Sequence, residues 1–246
     1  MIATASVAGA RVAVDEHIES TVHRGFAHLT HDSVRPLLSE DALQDFRLAW
    51  DDLETDTQIP GGKTFRLRRY GRLRVGLDTG TPEFEALPHS AFRQDSIEMW
   101  RGQNRVFAPI PAETLLHPGM RALVGLDARI AGAVSGVTRW EVGVHLVRIV
   151  AQPDLEGEPT PEGRHRDGHA YVGMHLMRRD HLTGGHSTLY PEGAAPVPLT
   201  LTRPLDSVFV DDSRLTHEVS PISPLGGTGI RDMLLVDLNP ASDAVR

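Results

Sequence analysis

Residues 138–150 read Thr138-Arg139-Trp140-Glu141-Val142-Gly143-Val144-His145-Leu146-Val147-Arg148-Ile149-Val150, an unbroken β-forming run. Six further runs of Val, Ile, Leu and Phe follow at 169–178, 186–190, 197–202, 206–211, 215–222 and 230–238, separated by clusters of Gly, Pro and Asp. Short strands at regular spacing with turn signals between them predict an antiparallel sandwich or barrel. Working back towards the N-terminus, Pro111 to Gly136 reads as a helical block, with Pro111 suited to a first helical position and Gly119, Gly132 and Gly136 as interruptions or an end. Thr64 to Leu77 alternates like a strand and carries five arginines between Arg66 and Arg74. Ser39, followed by Glu40 and Asp41, marks a helix start, and Leu43, Phe46, Leu48, Trp50 and Leu53 roughly follow one face before Pro60-Gly61-Gly62. The expected fold is mainly β with flanking helices (α+β). It forms one domain over 1–246, in which an N-terminal helical and extended region, about 1–137, packs on a C-terminal β core at about 138–240.

Composition narrows the chemistry. With 246 residues, 40% hydrophobic and 24% charged, the chain can bury a sizeable core. It has no Cys, which removes disulfides, thiolate metal sites and a Cys nucleophile, so any metal must take His and carboxylates. A formal charge of −8 offers no basic footprint for nucleic acid or anionic lipid, and a small-molecule partner is expected instead. The apolar run Met1–Val14 meets Arg11, Asp15 and Glu16 too soon for a secretory core, and no stretch reaches the length of a membrane span. A soluble, cytoplasmic protein is expected. Lys63 is the only lysine beside twenty-four arginines, so anionic ligands must be met almost entirely by Arg.

The motif with chemical content is Gly163-Arg164-His165-Arg166-Asp167-Gly168. In an extended segment His165 and Asp167 project to one face, where an imidazole nitrogen and a carboxylate oxygen can share a metal. His217 supplies a second imidazole, and two His with one carboxylate form a facial triad that leaves open positions on iron. Arg231, fourteen residues beyond His217, is placed to clamp the far carboxylate of a chelating diacid. Its spacing selects this triad over sets using His169, His175, His181 or His186, and His175 reads as a hydrogen-bonded structural residue on its strand. Glu162 reads equally as a loop carboxylate or a contact to a substrate amine. Arg148 reads first as a buried ion-pair member and second as a substrate contact, and Arg66 as a solvated strand residue or a substrate contact. Trp100, Trp140 and Phe92 read as core or lid packing.

Several lookalikes fail on spacing. His165-Arg166-Asp167 copies the kinase catalytic triplet, but the required Asn is Val172; His217-Glu218 lacks the second His of a zinc protease; Gly226-Gly227-Thr228-Gly229 lacks the context of a dinucleotide loop.

With His-x-Asp, a long gap, His and then Arg, the sequence resembles the iron(II)/2-oxoglutarate-dependent dioxygenases. More narrowly it is similar to the bacterial free amino-acid hydroxylase family (isoleucine 4-hydroxylase-like). The resemblance covers about Val142 to Leu238 and includes Val144–Ile149, Pro161-Glu162-Gly163, Gly184–Tyr190, Asp211–Arg214 and Arg231–Leu234. It implies a double-stranded β-helix (jelly roll, cupin-like) core. It implies Fe(II), 2-oxoglutarate and O2 as cofactor and co-substrates, with ascorbate as reductant in vitro. By it His165, Asp167 and His217 are the metal and catalytic residues, Arg231 binds 2-oxoglutarate, and a free L-amino acid is hydroxylated on its side chain. Many members of the wider superfamily place a Ser two residues after the Arg; here that position is Met233, leaving Thr188, Tyr190 or a water as the second partner of the co-substrate carboxylate. Related halogenases lack the metal-binding carboxylate, so Asp167 favours hydroxylation. Two other readings stand beside this one: a cupin-type metalloenzyme that does not use 2-oxoglutarate and has no need of Arg231, and a non-catalytic small-molecule-binding β-sandwich that holds no metal.

Overall fold

The computed structural model describes residues 3–242, with side chains from Val14 onward. Met1 and Ile2 of the N-terminal apolar run therefore lie outside the described residues, and the run continues into helix α1 (Ala3–Arg24). The strands in chain order are β1 (Phe26–Leu29), β2 (Glu54–Thr55), β3 (Arg66–Gly76), β4 (Glu83–Ala86), β5 (Ala108–Pro109), β6 (Arg139–Ala151) and β7 (Tyr171–Asp180). They continue as β8 (Leu182–Gly184), β9 (Ser187–Pro191), β10 (Val197–Leu199), β11 (Ser207–Asp211), β12 (Leu215–Val219), β13 (Ile222–Pro224) and β14 (Gly229–Pro240). The remaining helices are α2 (His31–Val34), α3 (Glu40–Arg47), α4 (Ala112–Leu115) and α5 (Pro118–Ser135).

A large sheet runs in the order β1-β11-β7-β14-β6-β3-β2, with β4 and β5 also paired to β3; β10-β9-β12 forms a second sheet, and β13 pairs β8. This is a double-stranded β-helix. Its two faces follow from the period-two alternation of the strands. On β6, Val142, Val144 and Leu146 join the cluster beneath the helices, while Val147, Ile149 and Ala151 join the cluster between the sheets. On β14, Leu234, Val236 and Leu238 take the helix side and Met233 the inner side.

The helical layer explains the first third of the chain. The Ser39 hydroxyl accepts from the Ala42 amide and caps α3, which buries Leu43 and Phe46. The predicted helical block divides. Pro111 precedes α4 instead of opening a long helix, because the chain turns at Leu116 and His117, and Pro118 takes the first position of α5. Gly136, at φ 78°, ends α5 in the left-handed conformation. Helix α5 also pushes Asp127 onto the sheet, where it accepts from His175 Nε2 at 2.9 Å, while His175 Nδ1 meets Ser207 Oγ at 2.8 Å. Only a glycine fits opposite: a Cβ on Gly173 would lie 1.9 Å from Asp127 Oδ2. His175 is thus a buried structural residue. Among the described residues no helix is long and apolar enough to cross a membrane.

Candidate active site

Four neighbouring strands of the large sheet bring cations and apolar residues into register. Arg66 on β3 lies opposite Ile149 on β6, which lies opposite Arg231 on β14, which lies opposite Arg179 on β7. The next inward row is Arg68, Val147, Met233 and Leu176. These inner faces and the second sheet enclose a cavity of about 970 Å³, mouth included, which His165, Asp167 and His217 also line.

The loop bearing His165 and Asp167 is locked to β12 by one antiparallel bridge. His165 N–H donates to His217 O at 3.0 Å, and His217 N–H donates to His165 O at 2.9 Å. The loop is held further by Asp212, whose carboxylate accepts the amides of Asp167, Gly168 and His169 at 3.0, 2.7 and 3.2 Å. Gly168, at φ 87°, makes the turn, and a Cβ there would lie 2.5 Å from Ser96 Oγ. These constraints converge the side chains: Asp167 Oδ1 lies 3.4 Å from His165 Nε2, and Oδ2 lies 3.5 Å from His217 Nε2. One donor atom from each of the three lies within 4.8 Å of the others.

The donor chemistry suits a divalent ion. His165 Nδ1 lies 2.8 Å from Gly163 O, an acceptor only, so Nδ1 carries the proton and Nε2 is left to coordinate. Gln94 Nε2 donates to Asp167 Oδ1 at 2.7 Å, and Arg105 donates to Gln94 Oε1 at 2.6 Å, which fixes the amide orientation. Burial would raise the Asp167 pKa, but His165 and His217 hold it below the usual carboxylate range. Burial lowers the His217 pKa and keeps the ring neutral.

Arg231 is 4% exposed, and its buried Nε has no hydrogen-bond partner. Burial, then Arg179, lowers its pKa to about 10. No carboxylate pairs with it among the described residues, and Met233, Leu189 and Val172 line the cavity with it. A cation desolvated in this way is costly without an anion. The site therefore fits the carboxylate end of a chelating diacid.

Two expected contacts fall elsewhere. Arg148 does not reach the cavity; it makes a bidentate pair with Asp232 at 2.7 and 2.8 Å, on the other face of the sheet. Thr188 is also displaced: Ser187 and Leu189 line the cavity, so alternation turns Thr188 outward, beside Tyr190. Arg66 and Glu162 do line the cavity. Arg66 donates to buried Asp56 at 2.7 Å, and Glu162 lies 3.6 Å from His165 with its Oε2 buried and unpartnered. Sequence reasoning missed Gln94, Arg105, Ser187, His145 and Asp237 as cavity residues. It grouped Arg68 with the other strand arginines, although the parity of β3 puts Arg66 and Arg68 on one face.

This fold, with two His and one Asp beside a buried unpaired Arg, defines the iron- and 2-oxoglutarate-dependent oxygenase class. The chain belongs to the 2OG-Fe dioxygenase family, whose model matches residues 47–237. Members use Fe(II), 2-oxoglutarate and O2, and the His-Asp-His triad is present here. No curated protein matches the sequence. Among solved structures, the chain is similar to a bsmA homolog from Methylobium petroleophilum PM1, with 26% identity, TM-score 0.84, and coverage of 93% of this chain and 96% of that one. It shares its fold with IDO from Bacillus thuringiensis, at 21% identity, TM-score 0.75 and coverage of 93% and 96%. It also shares it with the Fe(II)/(alpha)ketoglutarate-dependent dioxygenase TqaL, at 19% identity, TM-score 0.71 and coverage of 94% and 89%.

Proposed function

We propose that this oxygenase hydroxylates an unactivated carbon of a small substrate, the side chain of a free L-amino acid, in the cytoplasm. The observation that carries the reading is the convergence of His165, Asp167 and His217 in one cavity with a buried cation, Arg231, that has no protein anion. In this reading His165 Nε2, His217 Nε2 and one Asp167 oxygen hold iron(II), and Arg231 receives the far carboxylate of 2-oxoglutarate. Iron(II) and 2-oxoglutarate held there would supply dioxygen activation coupled to oxidative decarboxylation of 2-oxoglutarate to succinate and carbon dioxide. Gln94 holds Asp167 by its other oxygen, so that one oxygen faces the metal. Met233, Leu189 and Val172 keep water from the co-substrate end.

The amino-acid reading is supported by charges of both signs in a single cavity: Glu162, with a buried unpartnered oxygen, suits an ammonium, and guanidiniums, Arg66 among them, suit a carboxylate. Chain 1–246 acts as one domain in this reading, with about 1–137 packed on the 138–240 core. Iron-loaded protein given 2-oxoglutarate, ascorbate, air and a pool of common amino acids tests it, with succinate and products followed by mass spectrometry. An amino acid that gains one oxygen, dependent on both iron and 2-oxoglutarate, is the expected product. Succinate formation with no oxygenated amino acid would overturn the substrate class, and neither signal from iron-bound protein would overturn the reaction.

A further inference from the structure

We infer that Arg68 and Arg105 form a second anion site in the cavity, separate from Arg231, which takes the carboxylate of the substrate. The inference rests on the reading above in committing Arg231 to 2-oxoglutarate. It starts from the way this fold treats buried guanidiniums. Four line the cavity: Arg66, Arg68, Arg105 and Arg231. Arg66 has its own buried carboxylate, Asp56. Arg68 and Arg105, 8% and 1% exposed, have none in direct contact among the described residues.

Their partners are neutral or aromatic. Arg68 donates from Nε and Nη2 to His145 Nδ1 at 3.2 and 2.7 Å, and His145 Nε2 in turn donates to Asp237 at 2.9 Å. Arg105 donates to Gln94 and leaves its buried Nε without a partner. Arg105 lies over Trp100 at 4.3 Å and Phe92 at 5.1 Å, and Arg68 over Phe107 at 4.2 Å and Phe92 at 5.3 Å. Both guanidiniums share the rings of Phe92 and Phe107, and the charge of Arg105 is felt at Arg68. Ring faces return to a cation only a small part of what its desolvation costs. Burial, then neighbouring arginines, lowers Arg68 to about 9, and burial, then Arg66, lowers Arg105 to about 10.

The charge balance selects the ligand class. On this side Arg66, Arg68 and Arg105 stand against Asp56, Asp237 and Glu162, so the wall is balanced overall and polarised locally. A zwitterion, with its carboxylate on the arginine pair and its ammonium at Glu162, preserves that balance; a dianion does not. One amide, that of Gln94, separates Arg105 from Asp167, so a substrate anchored there lies beside the metal ligands.

The test is anaerobic calorimetry on protein loaded with iron(II) and saturating 2-oxoglutarate, titrated with isovalerate and, separately, isovaleramide. Wild type should bind the acid about tenfold or more tightly than the amide, the worth of a charge-assisted pair. Arg68→Gln should reduce that preference below about threefold, leave amide binding unchanged and keep 2-oxoglutarate affinity, which reports an intact fold; Arg105→Gln, shown folded by circular dichroism, should reduce the preference likewise, and Arg105→Lys should retain part of it. No acid preference in wild type overturns the proposal whether or not the variants fold, and so does full preference in both glutamine variants. Neither probe carries an amine. If no amino acid is hydroxylated while the acid preference and its loss are observed, the amino-acid reading fails and the second anion site stands.

Discussion

His165 and His217, fifty-two residues apart, exchange both backbone hydrogen bonds as an isolated antiparallel pair. In such a pair the two side chains emerge on the same face. The ring centroids are accordingly 4.6 Å apart, and Asp167, two residues on, brings its carboxylate between the two Nε2 atoms. Backbone pairing thus places the ligand set.

Metal binding should therefore release a proton. In the metal-free protein, burial lowers the His165 pKa, but Asp167, Glu162 and the Gly163 carbonyl outweigh it and raise the pKa from 6.5 to about 9. His217 is neutral, so near neutral pH His165 is the one ligand that must deprotonate. Calorimetry of iron(II) binding in buffers of different ionisation enthalpy should report about one proton released per ion. The same shift gives a stability signature, because a group whose pKa is raised on folding stabilises fully below its unfolded value and less as pH rises. The melting temperature of metal-free protein should fall between pH 6.5 and about 9, and His165→Gln should flatten that slope.

Arg231→Gln should raise the 2-oxoglutarate concentration for half-maximal turnover by about 10- to 100-fold, the worth of charge-assisted hydrogen bonds at about 1.5–3 kcal/mol. Steady-state kinetics with 2-oxoglutarate as the varied substrate measure it. An unchanged requirement removes Arg231 from its role. Because the variant relieves an unpaired buried cation beside Arg179, its melting temperature without ligand should not fall.

Gln94→Leu removes the amide that fixes Asp167 Oδ1 while keeping apolar bulk. Iron affinity, followed by competition with a chelator, should weaken about tenfold, as for other residues that orient a metal ligand. Affinity equal to wild type would make Gln94 a bystander.

Much of this was legible in the chain itself. Among the C-terminal runs, β6, β7, β11 and β14 are largely buried on both faces, which demands continuous apolar sequence, and Ser39 caps α3 because its hydroxyl meets an orphan amide. The triad and Arg231 could be read from order and spacing. Strand β8 could not, because Leu182-Thr183-Gly184 forms no apolar run, and β13 is reached only at Ile222, the end of the 215–222 run. Thr188 was misplaced because a one-residue shift in parity turns Ser187 inward and Thr188 outward. Gln94 and Arg105 sit in a loop that is closed by the Phe92–Arg105 bridge and joined to the site by Gln94 and Ser96 donating to Asp167, contacts with no local signature. Arg148 and Arg68 look alike in sequence; only the fold shows that one has a carboxylate and the other does not.

The central claim, that His165, Asp167 and His217 hold the iron to which 2-oxoglutarate chelates, is tested most directly by anaerobic spectroscopic titration. Wild type should bind one iron(II) per chain and develop visible charge-transfer absorption only when iron(II) and 2-oxoglutarate are both present. His165→Ala and His217→Ala, folded by circular dichroism, should lose it. Absence of the band from iron-bound wild type, or its persistence in either variant, would contradict the account.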